Sequence, residues 1–104
     1  MINIYLDDIR PCPIDFNLAI NYDECIKLLN ENKVSIISFD HDLGEEKSGY
    51  DVAKYIVEQG LDNIEFYPQI IHIHTANPVG RDNIFQLLNR YKPNHVKIYK
   101  YPYK

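Results

Sequence analysis

No apolar run in this chain approaches the ~20 residues that a membrane-spanning helix needs, so no membrane partner is expected. The amino terminus, MINIYLDD, has no basic stretch ahead of an apolar one and reads straight into a strand. That predicts no signal peptide and a cytoplasmic protein. Cysteine is scarce: Cys12 falls in a proline-flanked loop, Cys25 falls on a helix face, and their spacing fits no metal pattern. Both are expected to be free thiols in a reducing compartment. Repeats, low-complexity tracts and linkers are also absent, and 104 residues suffice for one core, which predicts one domain spanning 1–104. The last fifth of the chain lacks acid. All fifteen aspartates and glutamates lie at or before Asp82, with six Lys/Arg among them, while five Lys/Arg and no acid follow. An acidic body with a basic tail suits a metal site facing a phosphate-bearing ligand, and a solvated chain end accounts for it as well.

What is present alternates between short apolar runs and helical patterns. INIYL (Ile2–Leu6) reads as a first strand, and RPCPIDF (Arg10–Phe16), with two prolines, cannot be a helix interior. NLAI (Asn17–Ile20) reads as a short second strand. Tyr22, Cys25, Ile26 and Leu29 then recur at i, i+3, i+4, i+7, with Asn21 as N-cap and Glu24 three residues on. VSIISF (Val34–Phe39) suits a central strand covered on both faces. Tyr50, Ala53, Ile56 and Val57 mark a second helix ending near Gly60, and QIIHIHT (Gln69–Thr75) a fourth strand. Asn77 and Pro78 open a third helix with the stripe Ile84, Leu87, Leu88, Tyr91, and VKIY (Val96–Tyr99) closes as a fifth strand. The alternation argues for an α/β fold, an open parallel sheet with helices on both faces, and a flavodoxin-like order 2-1-3-4-5. Ligands of such folds bind beyond the carboxyl ends of the strands.

The polar residues gather where that rule points. Asp7, Asp8 and Arg10 follow strand one, Asp40, His41 and Asp42 follow strand three, and His74, Thr75 and Asn77 end strand four. Two carboxylates 4 Å apart repel by about 4 kcal/mol at an effective dielectric near 20, so such a cluster needs protonation, a basic partner or a cation. Oxygen donors favour Mg²⁺ or Mn²⁺, and the nearby histidines keep Zn²⁺ as a lesser candidate. The bland alternative is a set of acidic loops fanned into water. His72, deeper among isoleucines, reads as a hydrogen-bonded core histidine, while His74 at the strand tip suits acid–base or ligand work. The helix start at Asn77 offers free N–H groups to an anion, and Arg81 lies one turn in. Glu45, Glu46 and Lys47 read as a solvated loop, and nothing is assigned to His95.

YLDDIRP, SFDHDLG, GYDVA and HTANPVGR, in this order, resemble the cyclic-phosphate processing receiver-like domain family, relatives of response-regulator receiver domains. The resemblance covers nearly the whole chain. It implies a receiver fold whose phosphorylation pocket has become hydrolytic. Asp7 and Asp8 fall on the receiver's metal-binding pair, Asp40 on the phosphoacceptor, and Thr75 near the receiver's hydroxyl residue. His41, Asp42, His74, Asn77 and Arg81 fall on the family's own additions. Two departures stand out: RPCPIDF replaces the first helix, and Tyr101 separates Lys100 from Pro102 where receivers have a lysine–proline step.

The leading expectation is a metal-dependent phosphoesterase that opens a cyclic phosphate, on a cyclic nucleotide, an RNA end or an ADP-ribose derivative. Asp7, Asp8 and Asp40 would hold the metal, and His41 or His74 would move the proton. Asp42 would orient a histidine, and Arg10, Thr75, Asn77 and Arg81 would contact the substrate. A variant makes Asp40 a nucleophile and Asp42 an acid–base, as in haloacid-dehalogenase-type phosphatases, but the chain is too short for that fold's later motifs. The non-enzymatic alternative is a signalling receiver that accepts phosphoryl on Asp40. The tyrosine- and lysine-rich tail YKPNHVKIYKYPYK gives nucleic-acid binding only weak support, and the sequence sets no oligomeric state.

Overall fold

A computed structural model describes residues 1–100. Along the chain run β1 (Ile2–Leu6), β2 (Asn17–Ala19), α1 (Tyr22–Glu31), β3 (Val34–Phe39), α2 (Gly49–Asp62), a 3₁₀ turn (Ile64–Phe66), β4 (Ile70–Ile73), α3 (Pro78–Tyr91) and β5 (Lys97–Lys100). The five strands form one sheet of order β2-β1-β3-β4-β5, with every pair parallel. This is a flavodoxin-like receiver fold in which a loop, residues 7–16, stands in place of the first helix. The prolines at 11 and 13 bar a helix there, as the sequence suggests. No helix of the described residues is long and apolar enough to cross a membrane. The tail from Tyr101, with Pro102 and two of the tyrosines proposed for nucleic-acid stacking, lies outside the described residues.

Local signals account for the helix starts. The Asn21 side chain accepts from the Glu24 N–H, and the Glu24 carboxylate accepts in turn from the Ile20 N–H. Ser48 and Asp51 form a reciprocal capping box at α2. Asn77 caps α3 by accepting from the Gly80 N–H, with Pro78 at the first helical position. The second helix ends at Asp62, two residues past Gly60, where the ring of Tyr67 packs onto the helix and leaves no room for a side chain.

The two sheet faces differ, and the expectation of helices on both is not met among the described residues. Cys25 and Leu29 of α1, Val52, Ala53 and Ile56 of α2, and Ile84 and Leu88 of α3 join Ile4, Leu6, Ile37, Phe39, Ile71 and Ile73 in one core. Crossovers β2–α1–β3, β3–α2–β4 and β4–α3–β5 all run the same way across the sheet, so right-handedness places all three helices on one side. Only the return from β1 to β2 runs the other way, and it has no helix. The opposite face carries the register row Leu18, Tyr5, Ser38, His72 and Tyr99. Ile36 and Ile70 on that face are half-buried, so β3 is fully covered on one face only. His72 is half-buried there, edge-on to Tyr99 at 5.6 Å. Cys12 and Cys25 are free thiols, and burial pushes the Cys25 thiol up to about 12.

Candidate functional site

The sheet ladder continues one residue past three strand ends. Asp7 N–H donates to Ala19 O, Asp40 N–H to Leu6 O, and His74 N–H to Phe39 O. This sets Asp7, Asp40 and His74 side by side. Carboxylate oxygens of Asp7, Asp8 and Asp40 all lie within 4.8 Å of one another, an all-oxygen donor set that fits a hard divalent cation. Asp7 and Asp40 are buried and Asp8 is exposed. A cavity of about 440 Å³ opens over the cluster, lined by Asp8, Arg10, Asp40, Asp42 and Thr75 among others.

Arg10 supplies the basic partner that such a cluster needs. Its Nη1 donates to Asp7 Oδ2 at 3.0 Å and to Asp40 Oδ2 at 3.1 Å, joining the two buried carboxylates. The loop after β1 also turns its own backbone onto Asp7, whose Oδ1 accepts from the N–H groups of Ile9 and Arg10. Burial opposes ionisation of Asp7. The Arg10 and Ile9 backbone bonds, the Arg10 guanidinium and His74 outweigh it and hold the carboxyl below its ordinary value.

His74 is buried within this network. Its Nε2 lies 2.9 Å from Asp7 Oδ2, its Nδ1 lies 2.7 Å from Ser38 Oγ, and its ring stacks on Tyr5 with centroids 4.6 Å apart. Asp7 can only accept, so Nε2 carries the hydrogen and Nδ1 accepts from the Ser38 hydroxyl. Burial pulls the His74 pKa below its ordinary value, against the opposing pull of Asp7 and Asp40. A neutral ring bonded on both sides is built to hold Asp7 in place.

His41 has a different setting. Its side chain is 22% exposed, and Nδ1 lies 2.9 Å from Asp42 Oδ1. Asn77 Nδ2 donates to the other Asp42 oxygen at 3.4 Å while Asn77 Oδ1 caps α3, which ties the dyad to the helix. With Nδ1–H directed at a carboxylate, Nε2 is the basic nitrogen. Two glycines make this placement possible. A Cβ on Gly80 would lie 2.4 Å from the His41 ring, and one on Gly49 would lie 1.9 Å from the Asp40 carbonyl oxygen. Gly49 N–H also donates to His41 O at 2.8 Å, so the start of α2 clamps the His41–Asp42 peptide.

The remaining expected residues are placed less directly. Thr75 is fully buried, and its Oγ1 accepts from the Asn77 N–H at 3.1 Å. Arg81, in the first turn of α3, is half-buried and does not line the cavity over the carboxylates. Lys100, the residue nearest the receiver's lysine position, lies 3.6 Å from Asp82 and over the Phe85 ring.

Residues 2–90 match the family described as the cyclic-phosphate processing receiver domain. The chain belongs to that family. No curated protein and no solved structure matches it. Within this receiver-like domain, the strand-tip aspartates and histidines were legible from the sequence. Tyr5, Ser38, Gly49 and Gly80 were not singled out, and each acts on a site residue through contact. The one available signal was position: Tyr5 and Ser38 lie two residues before Asp7 and Asp40, on the same strand face.

Proposed function

We propose that this protein is a metal-dependent phosphoesterase that adds water across one P–O bond of a cyclic phosphate, leaving a phosphomonoester and a free ribose hydroxyl. The observation that carries it is the half-exposed His41–Asp42 dyad, whose Asp42 lines the same cavity as Asp8 and Asp40 of the all-carboxylate cluster. Asp7, Asp8 and Asp40 would hold Mg²⁺ or Mn²⁺, which when bound supplies Lewis-acid polarisation of the phosphoryl oxygens. His41 Nε2 takes the proton from the attacking water and returns it to the leaving ribose oxygen. Asp42 holds the tautomer that this requires. Arg10, which bridges Asp7 and Asp40 through Nη1 while lining the cavity, would offer its other guanidinium N–H groups to the charge that grows on the phosphoryl group. His74 positions Asp7 and moves no proton.

A second reading has its own support. Receiver ancestry and an acidic cluster at the strand tips support Asp40 accepting a phosphoryl group in signalling more directly than they support hydrolysis. One experiment separates the two readings. The protein is incubated with Mg²⁺ or Mn²⁺ and either 2′,3′-cyclic nucleotides and ADP-ribose 1″,2″-cyclic phosphate, or acetyl phosphate. The phosphoesterase reading expects multiple turnovers of a cyclic phosphate. Metal binding without turnover, together with stable labelling of Asp40 by acetyl phosphate, would establish the signalling reading instead.

A further inference from the structure

A second cavity, of about 710 Å³, begins at His41 and runs between α2 and α3. Its volume is that of a small-molecule site. In a chain with fifteen acids, no carboxylate of the described residues lines it. Its polar and aromatic groups include Tyr50, Tyr91, Asn83, Gln86 and Arg90. Asn83, Gln86 and Arg90 fall at i, i+3 and i+7, so they share one face of α3. The Arg90 guanidinium sits 5.5 Å from the Tyr91 ring centroid, and among the described residues it has no carboxylate partner.

We propose that this groove binds the nucleoside portion of the substrate, and that Arg90 binds a second phosphate remote from the reacting one. Tyrosine rings offer a stacking surface to a base, and amide side chains offer the paired donor and acceptor that a base edge or ribose presents. Arg90 lies about 15 Å along α3 from Gly80, on which His41 packs, and side chains leaning toward the helix start shorten that to roughly 10 Å. A cyclic mononucleotide carries only the reacting phosphate. The preferred substrate is therefore a nucleotide with another phosphate beyond the cyclic one. A partner helix is a poorer fit, because such helices dock through apolar anchors and this groove is mostly polar. The inference rests on the phosphoesterase reading for which end of the ligand faces Asp40.

The test is equilibrium binding to the full chain, read by amide chemical shifts and titration. The probes are ADP-ribose, a ribodinucleotide ending in a 2′,3′-cyclic phosphate, and adenosine 2′,3′-cyclic phosphate. The first two separate a diphosphate-linked source of the second phosphate from an RNA end. Shifts are expected at Asn83, Gln86 and Tyr91 with at least one of these two. Arg90→Gln, a change at an exposed helix position, is expected to weaken that probe about tenfold more than it weakens the cyclic mononucleotide. Equal weakening of all three, or no shifts along α3, overturns the proposal. Hydrolysis of the mononucleotide without groove binding leaves the phosphoesterase reading standing and this one refuted. Groove binding with no hydrolysis of any cyclic phosphate does the reverse.

Discussion

His74 and His41 lie at the same edge of the sheet and have opposite surroundings. His74 is buried, stacked on Tyr5 and bonded through both ring nitrogens. His41 is partly exposed, bonded through one nitrogen, and lines two cavities, the groove between α2 and α3 and a hollow beside the Asp42–Glu46 loop. The difference follows from where the backbone places each residue. His74 continues the β4 ladder on the helix-free face, where Tyr5 and Ser38 close over its ring. His41 lies one residue past the β3 ladder, in a loop pinned by the start of α2. A residue type alone does not assign a role. Its count of free hydrogen-bonding atoms does, and that count is fixed by the neighbours.

The comparison is broken most sharply by replacing each histidine. His41→Gln is expected to lower turnover of a cyclic phosphate by about 10²–10⁴-fold, the usual worth of general acid–base catalysis, with the urea midpoint nearly unchanged. His74→Ala is expected to reverse the pattern's emphasis. It removes a buried ring and takes one hydrogen bond from each of Ser38 and Asp7, at a cost of about 3 kcal/mol of stability in urea unfolding. If the two variants lose activity alike and stability alike, the division of roles is wrong.

Gly80→Ala tests the platform under His41. The added methyl meets the ring, while the helix gains a better helix former than glycine. Activity should fall roughly tenfold, about 1.4 kcal/mol of barrier, with stability changed far less. A variant as active as the parent would show that the ring has room to move without consequence.

The smallest effect is on pH. The His74 and His72 pKa values are lowered by burial, so below the ordinary value of 6.5 the unfolded chain takes up protons that the native state resists. Asp7, lowered from 3.8, adds a similar loss at more acid pH. Both signs agree: stability is held above about pH 6.5 and falls as pH drops toward the carboxylate range. Thermal melts from pH 7.5 to 5 should show the decline, and His74→Gln should flatten its upper part. A melting temperature that rises on acidification would contradict the buried neutral ring.

The strand tips were readable because periodicity and chain direction are local properties. The spacing of Asp7–Asp8, Asp40 and His74 after apolar runs sufficed to gather them at one edge. The position of Arg10 was not readable, because a long side chain can face substrate or bridge carboxylates with the same sequence around it. It bridges, since the loop after β1 folds back on Asp7. The rank of the two histidines was also hidden. It depends on Ser38 and Tyr5, which pattern reading assigns only to a strand. The one-sided packing of helices follows from crossover direction. It could have been derived once the order 2-1-3-4-5 was set and the first helix was judged absent.

The central claim, that His41 moves the proton in cyclic-phosphate hydrolysis, is met most directly by ³¹P NMR of ADP-ribose 1″,2″-cyclic phosphate, and of a ribodinucleotide ending in a 2′,3′-cyclic phosphate, with Mg²⁺-loaded protein. The account predicts steady conversion of the cyclic resonance to that of a phosphomonoester by the parent chain. It also predicts near-silence from His41→Gln at unchanged Mg²⁺ affinity. Equal rates from the two proteins, or no monoester from a parent shown to hold Mg²⁺, would contradict it.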